Sequence, residues 1–149
     1  MYAVGTSVSV ERSRAEIERL IRKHGARKVG IYTDDSQAVV TFSTADRTVK
    51  FSIPMQSAEE VPPEVLAAAK KRHRSADEAR RLAVDAEERR RWRCLLLVIK
   101  AKLESVADAV ETFDEAFLAH IVTPGGRTIL EELRTIEKSS GQQLLNAAQ

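Results

Sequence analysis

Arg91-Trp92-Arg93-Cys94-Leu95-Leu96-Leu97-Val98-Ile99-Lys100-Ala101-Lys102-Leu103-Glu104-Ser105-Val106 carries the strongest periodic signal in the chain. Trp92, Leu96, Ile99, Leu103, Val106, Val110, Phe113 and Phe117 follow one another at alternating steps of four and three, a heptad seam held for nearly four repeats. Leu95, Leu97, Val98, Ala107, Ala109, Ala116 and Leu118 widen the apolar face. A helix from about Ala76 to Ala119 would be roughly 65 Å long at 1.5 Å per residue. A small domain cannot cover that length, so the spacing predicts that the seam meets a second copy of the chain, as a dimer or higher homo-oligomer.

Upstream of the seam the period is different. Val10, Ser13, Ile17, Leu20, Ile21 and His24 share one helical face, with Ser9 or Ser7 placed to cap its start and Gly25 to end it. The period then falls to two. Lys28–Tyr32, Ala38–Phe42 and Thr48–Ile53 read as three strands, separated by the turn residues Asp34-Asp35-Ser36 and Ala45-Asp46-Arg47. Tyr32, Phe42 and Phe51 are expected on the face that the first helix covers. The fold class is therefore α+β: a helix on a three-stranded antiparallel meander, a long oligomerising helix, and a short C-terminal hairpin and helix. Residues 1–55 form the αβ unit, 56–75 a linker with a short helix, 76–137 the long helix with its C-terminal turn and helix, and 138–149 a polar tail. Pro63 suits a first helical position and Ser75-Ala76-Asp77-Glu78 has the form of a capping box. The alternative is one unbroken helix of about 60 residues from Pro63, long for a chain of this size. Beyond the seam, Pro124-Gly125-Gly126 turns the chain, and Thr128 to Glu131 is a second capping box that opens a helix through about Ile136.

The 149 residues are 43% hydrophobic and 31% charged, with a net charge of +2 that is unevenly spread. Residues 1–69 are neutral, residues 70–93 hold ten basic and five acidic side chains, and residues 94–149 hold five basic and eight acidic ones. The basic centre consists of Lys70-Lys71-Arg72-His73-Arg74, Arg80-Arg81 and Arg89-Arg90-Arg91-Trp92-Arg93. Clustered guanidinium groups bind phosphate, so Arg80, Arg81, Arg89, Arg90, Arg91 and Arg93 are the candidate nucleic-acid or anion-binding residues. The competing expectation is a solvated helix laced with pairs such as Asp85–Arg89 and Glu87–Arg91. The base-reading pattern of a basic-zipper protein is absent.

Nothing in the sequence points to catalysis. His24, His73 and His120 are far apart and the single Cys94 has no CxxC partner, so no metal centre and no cofactor are expected. No glycine-rich phosphate loop follows a strand. The lone cysteine and the absence of a long apolar run or a signal-like N-terminus lead to the expectation of a cytoplasmic protein without a membrane span.

Val8-Ser9-Val10-Glu11-Arg12-Ser13-Arg14-Ala15-Glu16-Ile17-Glu18, the stretch Arg91 to Glu104, Thr112-Phe113, Phe117 to Val122 and Gly126-Arg127-Thr128 together resemble a family of uncharacterised small proteins encoded by phages, prophages and metagenomic contigs, often of actinobacterial type. The resemblance spans most of the chain apart from residues 56–74 and the tail. It implies a phage-related context and carries over no functional residue. Three functions follow as expectations. The first is a non-enzymatic oligomeric protein that contacts nucleic acid through its basic helix. The second is a counter-defence protein that occupies a host protein or sequesters a nucleotide signal. The third is a structural assembly factor.

Overall fold

The computed structural model describes residues 1–34, 36–54, 60–71 and 75–147. Asp35 of the first turn, linker residues 56–59, and Arg72, His73 and Arg74 of the basic run lie outside the described residues. Helix α1 spans Val10–Lys23, strands β1, β2 and β3 span Lys28–Thr33, Gln37–Ser43 and Thr48–Pro54, and helices α2 to α5 span Pro63–Lys70, Ala76–Ala107, Phe113–Phe117 and Ile129–Ala147. The α+β architecture is the one the periodicities require.

Local chemistry sets the element ends. The Ser9 hydroxyl accepts the Arg12 N–H at the start of α1, and Gly25 just past its end sits at φ 92°. In the first hairpin an Asp34 carboxylate oxygen accepts the Ser36 and Gln37 N–H groups at 2.7 and 2.8 Å, an Asx-type turn. The strands form an antiparallel meander in the order β1-β2-β3. Its register places Ile31, Val40 and Phe51 in one row and Val29, Phe42 and Val49 in the next. Residues two apart on a strand share a face, so both rows project to the same side. There they meet Ile17 and Ile21 of α1 and Trp92, Leu95, Leu96, Ile99 and Leu103 of α3 in one continuous core.

That core crosses the expected boundary after residue 55. The heptad seam is the inner face of this chain: Trp92, Leu96, Ile99, Leu103 and Phe117 are buried, and Val106 and Phe113 pack against them. Val110 is the exception, at 77% exposed. The reason for expecting a partner copy on the seam disappears, because α1 and the sheet cover it. Two features of the chain make this possible. First, α3 is about 48 Å long rather than 65 Å, ending at Ala107. Second, α2 packs on its other side, with Val61 and Val65 covering Ala83, so Pro63 does not begin one unbroken helix.

The stop after Ala107 has a clear hydrogen-bond pattern. The Val110 N–H returns to the Ser105 carbonyl at 2.9 Å and the Ala109 N–H to Val106 at 3.2 Å. This is a Schellman closure, with Ala109 at φ 55° where glycine is usual. Thr112 and Glu115 then form a capping box that opens α4. The reversed chain brings Phe117 edge-on to Phe42 and Phe51, with centroids 5.9 and 6.3 Å away. The regular spacing from Trp92 to Phe117 therefore runs across a chain reversal.

After a 3-10 turn at Leu118–His120, Ile121 and Val122 extend the sheet beside β3, with the Val122 N–H on the Thr48 carbonyl at 2.8 Å. The Pro124-Gly125-Gly126 turn closes a short hairpin, and the Thr128–Glu131 box starts α5. α5 runs on to Ala147, past the expected stop near Ile136. Tyr32 departs from expectation as well. It is 63% exposed on the outer face, where it lies over Gly30, and a Cβ there would come within 2.7 Å of its hydroxyl.

Two stability changes follow. Leu103→Ala should cost about 3 kcal/mol, as for a buried leucine whose cavity collapses incompletely. Ala109→Gly should raise stability by about 1 kcal/mol by relieving the left-handed backbone. Urea unfolding at neutral pH reads both, and a destabilised Ala109→Gly protein would contradict the closure described.

Candidate nucleic-acid interface

Six arginines were expected to form the interface, and the structure gives four of them other work. Glu87 lies on the side of α3 away from the seam, with its side chain only 2% exposed. Its Oε1 accepts from Arg90 Nη2 at 2.6 Å and from Arg91 Nε at 3.1 Å, and its Oε2 accepts from Arg90 Nε at 2.7 Å. A buried carboxylate is tolerable only when its lone pairs are filled in this way. Arg91 also donates to the Pro54 carbonyl at the end of β3, Arg93 donates to Glu16 of α1 at 2.7 Å, and Arg89 donates to the Thr6 carbonyl at 3.3 Å. One and a half turns of α3 thus fasten the N-terminal segment, α1 and β3. A phosphate would have to displace these partners. Of the two expected pairs, Glu87–Arg91 forms, whereas Arg89 turns to Thr6. Arg80 and Arg81 are exposed at the start of α3, Arg80 at 3.7 Å from Asp77. The structure does not join them to the other four as one surface.

Trp92 is fully buried between these arginines. Its Nε1 has no hydrogen-bond partner among the described residues, and the Arg14 guanidinium lies 5.7 Å from the ring centroid. Lys102 is also committed inward: it donates to the Ala116 carbonyl and lies over Phe117.

Some of the cations without ion pairs among the described residues share a face of α1. Arg12, Arg19 and Lys23 fall on one face of α1, about 10 and 6 Å apart along its axis, and all three are exposed. Glu16 on the same face is already neutralised by Arg93. Across a groove of about 330 Å³ stands Lys100 of α3, with Leu20 and Leu96 at its floor and Glu104 at its far end. An adjoining hollow of about 340 Å³ continues past Arg12 and Ala15. Sequence reasoning missed this stripe because its cations are dispersed among Glu11, Glu16 and Glu18. The signal that could have found it is the seven-residue and four-residue spacing of Arg12, Arg19 and Lys23.

A cavity of about 770 Å³ lies between the β2–β3 turn, α4 and the 121–124 strand. Within it Arg47 grips both Asp114 oxygens, at 2.8 and 2.6 Å. That pairing raises the Arg47 pKa and lowers that of Asp114. His120 stacks on Phe51 at 4.0 Å, and burial, reinforced by Lys102, pushes its pKa down. No group of three or more His, Cys, Asp or Glu side chains could hold a metal ion among the described residues, and no described helix is long and apolar enough to cross a membrane.

Arg90 first, and Arg91 with it, holds the Glu87 carboxyl below its ordinary value of 4.5, against burial, which pushes it up. A carboxyl whose pKa is depressed by folding contributes stability above its unfolded pKa and loses it as pH falls through the folded one. Glu87→Gln should therefore lower stability at pH 7 and flatten the loss on acidification below about pH 4.5. Thermal melts from pH 3 to pH 7 check this, and an unchanged slope would count against the clamp.

Comparison with protein-family models, with curated proteins and with solved structures returns no match for this chain.

Proposed function

We propose that the chain is a non-enzymatic nucleic-acid-binding protein of phage-related context, contacting phosphates along the groove between α1 and α3. The observation that carries this reading is the stripe of Arg12, Arg19 and Lys23 with Lys100 opposite. These are four exposed cations without ion pairs among the described residues; of the two carboxylates lining the groove, Glu16 is neutralised by Arg93 and Glu104 stands at the far end. The stripe is about 16 Å long. With a phosphate every 3.4 Å along one strand, that length spans about five phosphates. The groove floor is aliphatic and offers no pattern of base-edge donors, so the reading is backbone binding without strong sequence preference. Arg93 serves it indirectly, by tying α1 to α3 through Glu16 and cancelling that charge.

Fluorescence anisotropy with labelled single- and double-stranded oligonucleotides over a salt series tests the proposal. Three to four phosphate contacts predict a slope of about −3 in log K against log salt. Arg19→Glu together with Lys23→Glu should abolish binding, whereas Arg81→Glu should leave it nearly unchanged. Absence of binding at low salt, or loss through Arg81 alone, would overturn the reading.

A second reading, occupation of a host protein, is supported by Leu133 and Ile136. Both are exposed on α5, which packs mainly against the 3-10 turn. Leu133→Asp with Ile136→Asp should then abolish a host-protein complex and spare oligonucleotide binding.

A further inference from the structure

The face of α3 opposite the core is covered over only half its length. In its N-terminal half, Ala79 and Ala83 lie buried, with α2 packed against this part of the helix. In its C-terminal half the same side carries half-buried Cys94, then Leu97 at 45% exposed, Val98 at 43% and exposed Ala101. The segment at the N-terminus borders this stripe, with Cys94 Sγ 3.9 Å from the Tyr2 carbonyl, and adds exposed Met1, Tyr2 and Val4. Two adjacent large aliphatic side chains exposed in mid-helix, with small neighbours on either side, form a surface that another helix can approach closely.

Charge on this stripe is arranged end to end. On the N-terminal side stands the arginine cluster, Arg90 and Arg91 on the Glu87 carboxylate, with Glu64 of α2 also within electrostatic reach of Arg90. On the C-terminal side Glu104 and Asp108 are exposed and form no ion pair among the described residues. Arg90 and the midpoint of Glu104 and Asp108 are equally far from Val98, about 12 Å in each direction. A two-fold axis through Leu97 and Val98 therefore lays the acidic end of one α3 against the basic end of the other, with the bare aliphatic residues at the centre. A parallel pair would set like charges side by side.

We infer that this back face of α3 is a homodimer interface, in which two copies pack antiparallel about Leu97 and Val98. A two-fold contact of this kind is self-complementary, and needs only one patch. The α1 groove opens on a neighbouring side of α3, and Glu104 borders both surfaces. The two-fold brings two copies of that groove into one particle without closing either.

Sedimentation velocity on the full chain provides the first test. It should show a concentration-dependent species of twice the chain mass. Leu97→Asp with Val98→Asp should abolish it while leaving the circular dichroism melt intact, since both side chains are exposed in the monomer. Glu104→Arg with Asp108→Arg should weaken the dimer by at least about tenfold, more so at low salt. Orientation is read by oxidation in a Cys94→Ala background. Val98→Cys, beside the axis, should give a disulfide-linked dimer. Ser105→Cys should not, its two copies being about 20 Å apart along the axis. Cross-linking at both positions would establish a parallel pair and overturn the arrangement. A chain that stays monomeric at the highest soluble concentration, or a dimer that survives the double aspartate variant, would overturn the interface. Oligonucleotide binding measured on the Leu97→Asp, Val98→Asp variant, which leaves the groove lining unchanged, separates this result from the fate of the α1 groove.

Discussion

The inner face of α3 is the constraint on which the rest of the molecule depends. Trp92, Leu95, Leu96, Ile99 and Leu103 present more apolar surface than a water-exposed helix can carry, at roughly 25 cal/mol per Å² removed from water. Neither α1 nor the meander offers enough area alone. Placed side by side on one layer, Ile17 and Ile21 of α1 and the rows Ile31-Val40-Phe51 and Val29-Phe42-Val49 close the helix in. The meander likewise needs α1, α3 and Phe117 of α4 to cover its apolar face. The three parts form one cooperative unit rather than an αβ module with an appended stalk.

Charge is subordinate to that packing. The arginines that surround Trp92 occupy the rim where the core meets solvent, and each reaches a different segment: Thr6, Glu16, Glu87 or Pro54. Guanidinium suits this position because its aliphatic stem lies on apolar surface while its planar head fills several acceptors at once. The cost of burying Glu87 is met locally by two of these heads. Arg89, Arg90, Arg91 and Arg93 are thereby spent inside the chain. On the outer face of α1, Arg12, Arg19 and Lys23 stay exposed, and Arg93 neutralises the Glu16 carboxylate among them.

The course of the chain after Ala107 shows how much a periodic pattern conceals. The steps of four and three continue through Phe117, yet the chain reverses between Val106 and Phe113. The residues that mark the reversal were present in the sequence, as the Thr112–Glu115 capping box. Ala109 gave no warning, because alanine favours the helix it ends. Its left-handed backbone belongs to the reversal that brings Phe117 onto Phe42 and Phe51.

Short-range order in this protein is written in the sequence. The caps at Ser9, Ser75 and Thr128, the left-handed Gly25, the Asp34 turn and the alternation along β2 and β3 each follow from a residue and its near neighbours, because hydrogen bonds and backbone sterics act over three or four positions. The tertiary structure alone decided which surface meets which. The seam became core instead of contact, and Tyr32 went to the outer face. The arginines became fasteners, and the bare stripes were left on α1 and on the back of α3. A helix with two apolar sides does not declare which side its own chain will cover. That choice belongs to the summed area and charge of every element that competes to pack against it.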